Sequence, residues 1–219
     1  MCTYICRFVI LMRKISYTVP PALDGSSVAA VLRSHGFSTA LLRSLKKTYG
    51  ALSRNGCPVR TVDPVHTGDI VAVELNTDGA TAPPSAEKAV IVYADRDILV
   101  VNKRAGMAMY ETYNHHGNAL SNAVAAAGFD GPFRPIYRLD KDTSGLVVLA
   151  RHQLSAAKLA GKVQKDYYAV VPGAYTGSGT VDAPIAHCPD STVKRQVDPA
   201  GVRAGTHLSL IHISEPTRH

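Results

Sequence analysis

A short apolar run that directly follows a polar turn constrains the fold of this chain more than any other feature. Residues 146–150 are continuously apolar and of strand length, which predicts a strand buried on both faces. Residues 141–145 have the composition of a turn. If residues 138–140 are extended, Arg138 and Asp140 point to the same face, because side chains alternate along a strand. From spacing alone, this pair is either a structural ion pair or part of a functional site.

The letters of this stretch resemble an active-site motif. Residues 137–146 read Tyr-Arg-Leu-Asp-Lys-Asp-Thr-Ser-Gly-Leu, and they resemble His-Arg-Leu-Asp-x-x-Thr-Ser-Gly-Leu of the pseudouridine synthases that modify large-subunit rRNA and tRNA. Tyr137 stands where that family usually has His. The resemblance implies that Asp140 is the catalytic aspartate and that Arg138 is the motif arginine, which contacts the substrate.

Two further segments resemble motifs of the same family. Residues 90–103 predict a hairpin of two strands around an Asp-Arg-Asp turn. Its end, Asn-Lys-Arg, resembles the family's Asn-Lys-Pro-x-Gly, with Arg104 in place of Pro. Residues 165–171 predict a strand, and their Lys-Asp-Tyr-Tyr-Ala resembles Lys-x-Tyr-x-Ala. The resemblance implies that Tyr167 lines the uridine pocket; without it, Tyr167 would be a half-buried strand aromatic.

The N-terminal region predicts a second, smaller domain. Residues 12–20 alternate as an opening strand, and Ser26 or Ser27 and then Ser38 stand where two helices would be capped. An Asn-Gly tight turn and a closing strand that begins near residue 70 follow. This order resembles the small RNA-binding domain named for ribosomal protein S4, over roughly residues 16–75.

Positive charge is concentrated in this N-terminal region. The chain has a net charge of +7, and residues 1–75 hold nine Lys and Arg against four Asp and Glu, whereas residues 76–207 hold fourteen against twelve. Three of these cations lie at i, i+3 and i+4 on the second predicted helix, away from its apolar face of Leu41, Leu42, Leu45 and Tyr49. Such a stripe is usually only a solvated surface, but its position favours binding of phosphates. The residues expected to bind RNA are therefore Arg43, Lys46 and Lys47.

Metal, disulfide and membrane features are weak in this sequence. The four cysteines are scattered without a metal-ligand pattern, which suggests free thiols in a reducing cytoplasm. His115 and His116 are adjacent, and neighbouring side chains splay apart. The apolar run at residues 8–12 is too short to span a bilayer. We expect a cytoplasmic protein with no metal, no cofactor and no membrane association.

These observations predict an α+β chain of two domains. Residues 16–75 form the S4-like RNA-binding domain, and residues 76–87 form a linker rich in polar residues, Gly and Pro. Residues 88–207 form the N-terminal part of a mixed, mainly antiparallel-sheet pseudouridine synthase catalytic domain, as the resemblance implies.

Both ends of the sequence are out of keeping with this organisation. Residues 1–15 form a leading segment, for which the sequence leaves two interpretations: translation starts at Met12 and the first eleven residues are an upstream extension, or these residues form a genuine short leading strand. Residues 208–219 resemble the conceptual translation of a sequencing adapter, so we expect a non-native tail. The family's Thr-Gly-Arg-x-His-Gln-Ile-Arg segment does not occur in the sequence, and the catalytic domain is therefore expected to be incomplete.

The function implied by the resemblance is isomerisation of specific uridines in rRNA or tRNA, performed by a monomer that binds structured RNA. The alternative is a non-catalytic S4-type RNA-binding protein with an incomplete synthase domain. A glycosidase-like hydrolase would use Asp140 and Asp142 as paired carboxylates. That reading is disfavoured because the two are only two positions apart in a turn and no aromatic sugar platform is evident.

Overall fold

The computed structural model of the protein describes five stretches of the chain. These are residues 13–75, 81–111, 117–171, 177–191 and 194–210. The chain divides into two compact units, Met1–Lys165 and Asp166–His219. The predicted linker falls partly on residues 76–80, which lie outside the described stretches.

The N-terminal part of the first unit contains a four-stranded antiparallel sheet with the strand order β1-β4-β2-β3. The strands are β1 (Arg13–Thr18), β2 (Leu52–Arg54), β3 (Cys57–Pro58) and β4 (Ile70–Leu75). Asn55 and Gly56 join β2 to β3 with φ angles of 50° and 85°, as a tight Asn-Gly hairpin turn requires. The predicted opening strand, tight turn and closing strand are thus confirmed.

Two helices pack against this sheet. A short 3-10 helix (Pro21–Leu23) precedes α1 (Val28–Ser34) and α2 (Thr39–Lys47). Ser27 accepts a hydrogen bond from the Ala30 N–H at 3.3 Å and Ser38 accepts one from the Leu41 N–H at 3.2 Å, so both predicted caps are confirmed. Sheet and helices share one hydrophobic core, here called the first core, whose largest fully buried members are Val19, Val28, Val31, Leu32, Val65, Val71, Val73 and Leu75.

Tyr49 departs from the predicted apolar face of the second helix. Its side chain is 96% exposed, whereas Leu41, Leu42 and Leu45 are buried as predicted. The physical reason is that α2 ends at Lys47, and Thr48 already has an extended backbone with a ψ of 109°. The helical period therefore does not extend to Tyr49.

The second part of the first unit contains a three-stranded antiparallel sheet in the order β5-β6-β7. Its strands are β5 (Val90–Ala94), β6 (Ile98–Lys103) and β7 (Gly145–Ala150), and α3 (Leu120–Ala126) lies between β6 and β7 in sequence. The predicted hairpin is confirmed as β5 and β6. A second hydrophobic core is formed by one face of β6 and β7, by α3 and by the connecting loops, and includes Leu99, Val101, Leu120, Val147 and Leu149.

The prediction that residues 146–150 are buried on both faces is wrong for the face that carries Leu146 and the half-buried Val148. Val147 and Leu149 are fully buried, but Leu146 is 53% exposed. Along a strand these side chains alternate between faces, so only one face of β7 is packed into the second core. On the side away from β6, the Ile136 N–H donates to the Val148 carbonyl at 2.9 Å, which is a bridge to an irregular segment rather than a full strand.

The helix after β7 belongs to both parts of the first unit. This helix is α4 (Gln153–Leu159), which begins directly after His152. Its Leu154 is 2% exposed and is a member of the first core, although α4 follows the second sheet in sequence. This placement could not be read from the local apolar pattern.

The predicted strand at residues 165–171 is wrong. Residues 163–171 have no regular secondary structure, and Tyr168 and Val170 are 84% and 103% exposed. A strand in water is stable only when its backbone pairs with a neighbour and one face is buried, and these exposed side chains show that no such face is present here.

The second unit contains two short antiparallel ladders. β8 (Ser178–Asp182) pairs with β11 (Gly205–Ser209), and β9 (Ile185–His187) pairs with β10 (Arg195–Val197). The α+β class with antiparallel sheets is therefore confirmed, while the S4-like nature of residues 16–75 stays a prediction. No helix in the described stretches is long and apolar enough to cross a membrane.

The Ser38 cap of α2 is expected to contribute measurably to stability. Ser38→Ala removes the acceptor for the Leu41 N–H and should lower the free energy of unfolding by about 1 kcal/mol, as measured by urea denaturation. Ser44→Ala is the control, because Ser44 is exposed within the same helix. An equal loss in both variants would contradict the capping role.

Candidate active site

The segment that leads into β7 presents both predicted site residues, Arg138 and Asp140, to solvent. Arg138 and Asp140 are exposed, whereas Leu139 between them is 8% exposed and packs into the second core. This alternation is what an extended Arg-Leu-Asp segment predicts. Leu139 therefore anchors the segment, and its two charged neighbours project outward.

Arg138 and Asp140 are not partners in this arrangement. Within the stretches that the structure describes, neither side chain takes part in a hydrogen bond or ion pair, and no ion pair joins the two. The interpretation of the pair as a structural ion pair is therefore not supported. The geometry leaves a carboxylate and a guanidinium on one exposed face, where both can contact a ligand.

A buried lysine holds this loop in place. Lys103, the last residue of β6, is fully buried. Its ammonium group donates to the carbonyls of Arg104, Met107 and Lys141 at 3.1, 2.9 and 2.9 Å. An ammonium group has three hydrogens to donate, so each acceptor takes one. Lys141 directly follows Asp140 in the sequence. The hydrogen bond from Lys103 to the Lys141 carbonyl therefore connects the loop that carries Asp140 to the central strand of the sheet.

The environment of Lys103 has opposing electrostatic effects. Burial lowers the pKa of the Lys103 ammonium below its ordinary value of 10.5, and the carboxylates of Asp142 and Asp140 partly offset this by favouring the charged form. The nearby Arg104 adds a smaller lowering effect. The acidic loop therefore favours the charged form of the lysine, and the lysine holds the backbone of the loop in place.

Two backbone features complete the loop. The Thr143 N–H donates to the Asp140 carbonyl at 3.2 Å, which closes a turn. Gly145 has a φ of 136°, a conformation that residues with a Cβ rarely adopt. Gly145 is paired with Lys103 across the β6–β7 ladder. The Gly of the Thr-Ser-Gly sequence thus allows the chain to turn from the loop into β7 directly opposite the buried lysine.

Tyr137 stabilises the other end of the loop. Its hydroxyl group donates to the Leu146 carbonyl at 2.9 Å, and the Lys165 ammonium lies 4.8 Å from the centre of its ring, within the range of a cation–π contact. Tyr137 also packs against the second core. In this chain the residue at that motif position therefore connects the loop to the first residues of β7.

A cleft of about 390 Å³ lies beside the loop. It is lined on the loop side by Ser144 and Gly145 and on the sheet side by Asn102, Lys103 and Arg104. Neither Arg138 nor Asp140 lines it. We therefore identify the candidate site by the exposed Arg138–Asp140 face and not by this cleft.

The remaining predicted substrate residue lies in the other unit. Tyr167 belongs to Asp166–His219, and its side chain is 58% exposed. Its role in a uridine pocket stays a prediction. His115 and His116 lie outside the described residues, and among the described residues no group of three or more His, Cys, Asp and Glu could hold a metal ion.

Two of the three predicted RNA-binding cations share a groove. Arg43 and Lys46 line a groove of about 420 Å³ between α1 and α2, and Arg33 of α1 lines it as well. Lys47 is exposed but is not part of the groove lining. Ala29, Leu42 and Val62 also line it. The groove thus combines cationic and apolar side chains.

Sequence reasoning did not select Lys103 or Arg33 as site residues. A signal for Lys103 was present, since strand alternation places it on the same face as Leu99 and Val101, which are buried. A charged residue at an inward position of a strand indicates a specific polar partner. Arg33 had no comparable signal, because its position beside Arg43 depends on how α1 packs against α2.

Comparison with known proteins gives consistent results. Residues 97–218, more than half of the chain, match the sequence profile described as RNA pseudouridylate synthase. The Bacillus subtilis protein named "Uncharacterized RNA pseudouridine synthase YjbO" is 33% identical over 185 residues, which cover 79% of this chain and 65% of that protein. The "Ribosomal large subunit pseudouridine synthase D" of Xylella fastidiosa is 33% identical over 208 residues, which cover 88% of this chain and 62% of that protein.

The "Ribosomal large subunit pseudouridine synthase D" of Zymomonas mobilis is 38% identical over 139 residues, with 55% of this chain and 43% of that protein covered. The similarity to these relatives also includes the N-terminal region. The 88% coverage in the Xylella comparison is more than residues 97–218 can account for. The chain spans between two fifths and two thirds of the length of these three relatives.

Loss of the Lys103 ammonium should destabilise the fold. Lys103→Met leaves the carbonyls of Arg104, Met107 and Lys141, one in a buried and two in partly buried hydrogen bonds, without their donor, and should lower the free energy of unfolding by about 1–3 kcal/mol. Because the pKa of Lys103 is lowered in the folded state, the unfolded chain binds the proton more strongly. The stability of the wild type relative to the variant should therefore rise as pH increases towards 10.5.

The measurement is urea denaturation of both proteins across this alkaline range, with Lys162→Met as the control. Lys162 is an exposed lysine after α4, so its replacement should change neither the stability nor its pH dependence. A stability difference between wild type and Lys103→Met that falls with rising pH would contradict this account.

Proposed function

The chain belongs to the RNA pseudouridylate synthase family, and we propose that it converts specific uridines in rRNA or tRNA to pseudouridine, with Asp140 as the catalytic residue. The observation that carries this proposal is the placement of Asp140. Its carboxylate is exposed and makes no hydrogen bond or ion pair within the described residues, while the loop beneath it is held by the buried Lys103. A reactive group on a rigid support is what catalysis requires.

The reaction is an isomerisation within one nucleotide. The C1′–N1 bond of uridine breaks, the base turns, and a C1′–C5 bond forms; the proton on C5 is lost and N1 gains one. Atoms and electrons balance without an oxidant or reductant. The carboxylate of Asp140 has two possible roles, which are attack on C1′ to form a covalent intermediate or removal of a proton from the sugar. Both require Asp140 to be ionised and close to the ribose.

The target base must leave its stack before Asp140 can contact the sugar. Arg138 lies on the same exposed face as Asp140, and its guanidinium can contact the phosphate backbone or occupy the space that the base vacates. Tyr167 can stack on the uracil ring, because base–aromatic stacking is the usual way in which proteins hold an unpaired base. The substrate-binding roles of Arg138 and Tyr167 are part of this proposal.

Residues 16–75 are proposed to be an S4-like domain that binds the RNA substrate. The support is the helix pair with its cationic groove, which contains Arg43 and Lys46 together with Arg33. Lys47 follows Lys46 at the end of α2 and adds a further positive charge beside the groove. Phosphate contacts by such cations supply affinity without sequence specificity.

Asp140→Asn should abolish pseudouridine formation and preserve RNA binding. The amide has nearly the same size as the carboxylate but can neither attack C1′ nor accept a proton effectively. Pseudouridine is measured by chemical mapping of rRNA and tRNA after incubation with each protein, and binding is measured by titration. Isomerisation by the Asn variant would end the assignment.

Asp142→Asn is the matched control for this experiment. Asp142 is an exposed carboxylate on the same turn and two positions from Asp140, so the change in charge is identical. This variant should retain isomerisation. Equal loss of activity in both variants would instead indicate that the two carboxylates act as a pair.

Neutralising Arg43, Lys46 and Lys47 together to Gln should weaken RNA binding in a salt-dependent manner. The slope of log K against log salt should fall by about 2–3, because each phosphate contact contributes about 0.7–0.9. The binding constant is measured over a series of salt concentrations.

A second triple variant provides the control. Lys14, Arg60 and Lys162 are exposed cations of the first unit that do not line the groove, and replacing them with Gln removes the same total charge. This variant should change the slope much less. If both triple variants shift it equally, only the net charge matters and the groove is not an RNA-binding site.

A further inference from the structure

Asp97 joins the two parts of the first unit. It lies in the turn between β5 and β6, and its Oδ1 atom is 3.2 Å from Nε of Arg13 and 2.8 Å from Nε2 of His152. Arg13 is the first residue of β1 in the N-terminal sheet, and His152 directly precedes α4. One carboxylate oxygen therefore connects the N-terminal sheet, the β5–β6 hairpin and the start of α4.

The hydrogen bonds of His152 assign the position of its proton. His152 is 2% exposed, and its Nδ1 accepts a hydrogen bond from the Ser155 N–H at 3.1 Å. Nδ1 is therefore unprotonated, and Nε2–H donates to Asp97. In return, the Ser155 hydroxyl donates to the His152 carbonyl at 2.9 Å. The same histidine thus caps α4 and fixes that helix to the hairpin.

Asp97 carries a negative charge in the folded protein although it is partly buried. Partial burial by itself raises the pKa of the carboxyl group, but the hydrogen bond from His152 and the charge of Arg13 outweigh this effect and lower the pKa below its ordinary value. Asp97 is therefore an anion at neutral pH, and its contact with Arg13 is a charge-assisted hydrogen bond.

Apolar contacts of α4 reinforce this connection. Leu154, two residues after His152, is buried in the first core. On the next turn of the helix, the side chain of Lys158 lies against Gly36 at the end of α1, with 3.4 Å between Lys158 Cε and the position a Cβ would occupy on Gly36. Lys158 is also close enough to His35 to help lower the pKa of that histidine, after the larger effect of burial. α4 therefore contacts the N-terminal part of the chain through the first core and at the residues that follow α1.

A continuous structural path thus connects the groove to the catalytic loop. The loop that carries Asp140 enters β7, β7 ends at Ala150, and His152 and α4 follow at once. The N-terminal part is joined to the rest by these contacts as well as by the linker sequence. A purely flexible linker would leave the separation between groove and loop variable, whereas this joint fixes it.

We propose that Asp97, Arg13 and His152 are positioning residues that hold the cationic groove at a fixed separation from Asp140, and that the enzyme thereby selects RNAs long enough to contact both at once. The inference rests on the proposed function. Two sites held in fixed geometry bind a matching RNA more strongly than two sites on a loose tether, because less conformational freedom is lost on binding.

The first test requires no RNA. Hydrogen exchange of the α4 amides is measured in the wild type, Arg13→Ala and Asp97→Ala, with Lys14→Ala as the matched control. Lys14 is the neighbour of Arg13 on β1, and its ammonium lies 4.0 Å from Glu74 rather than at the joint. We expect the α4 amides to exchange about tenfold faster or more in Arg13→Ala and Asp97→Ala, because even a modest loss of local stability accelerates exchange by this factor. Exchange should be unchanged in Lys14→Ala.

The second test compares two RNAs that carry the same target uridine. One is a short stem-loop, and the other is a longer structured RNA that extends to the groove. Arg13→Ala and Asp97→Ala should lose most of the preference in kcat/KM for the longer RNA, by about tenfold, and keep the wild-type turnover of the short stem-loop. Asp97→Asn should restore part of the preference, because its amide oxygen can still accept from His152.

Each outcome decides one part of the inference. Unchanged exchange of the α4 amides in both joint variants overturns the joint, whether or not the protein is active. Equal loss of turnover on both RNAs assigns Asp97 to the stability of the catalytic part and overturns the role in selection. If the wild type isomerises neither RNA, the proposed function fails. The binding preference for the longer RNA is then measured by titration in the wild type, Arg13→Ala and Asp97→Ala. Loss of this preference in the two variants supports the role of the joint in RNA selection, and an unchanged preference overturns it.

Discussion

The buried ammonium group of Lys103 is the interaction on which the rest of the candidate site depends. Burying a charged group is costly unless its hydrogen-bonding capacity is used, and here the three hydrogens of the ammonium meet three carbonyls. One of these carbonyls belongs to the loop that presents Asp140. The exposed carboxylate needs no direct support from a side chain, because its backbone is held from below by Lys103, Leu139 and the β6–β7 ladder.

A second charged side chain with several hydrogen-bond partners connects the second sheet to the N-terminal part of the chain. Asp97, at the opposite end of β6 from Lys103, accepts from Arg13 and from His152. The central strand of the second sheet thus has a polar anchor at each end, one towards the loop that carries Asp140 and one towards the N-terminal sheet. Through α4 and Leu154, the two hydrophobic cores of the first unit are mechanically connected.

Local sequence signals predicted most of the elements and the exposed Arg138–Asp140 face. The capping serines, the Asn55–Gly56 turn and the β5–β6 hairpin each depend on residues close together in sequence, and such signals are strong. Asp140 was identified as a candidate catalytic residue through the resemblance of its motif. The alternation of side chains along an extended segment was sufficient to predict that it shares a face with Arg138.

Apart from Tyr49, which lies beyond the end of α2, the predictions that proved wrong depend on tertiary partners. Leu146 is exposed because only the opposite face of β7 is packed into the second core, and residues 165–171 lack a strand because they bury no face. The membership of Leu154 in the first core and the meeting of Arg33 with Arg43 are long-range facts that no local pattern contains.

The central claim is that the exposed Asp140 carboxylate on this anchored loop isomerises uridine in RNA. Release of tritium to water from RNA labelled at C5 of uridine tests it most directly, because the C5 proton is lost only when the C1′–C5 bond forms. The account predicts release by the wild-type chain, in proportion to the pseudouridine formed and without added metal or cofactor. RNA that binds the protein but releases no tritium would contradict it.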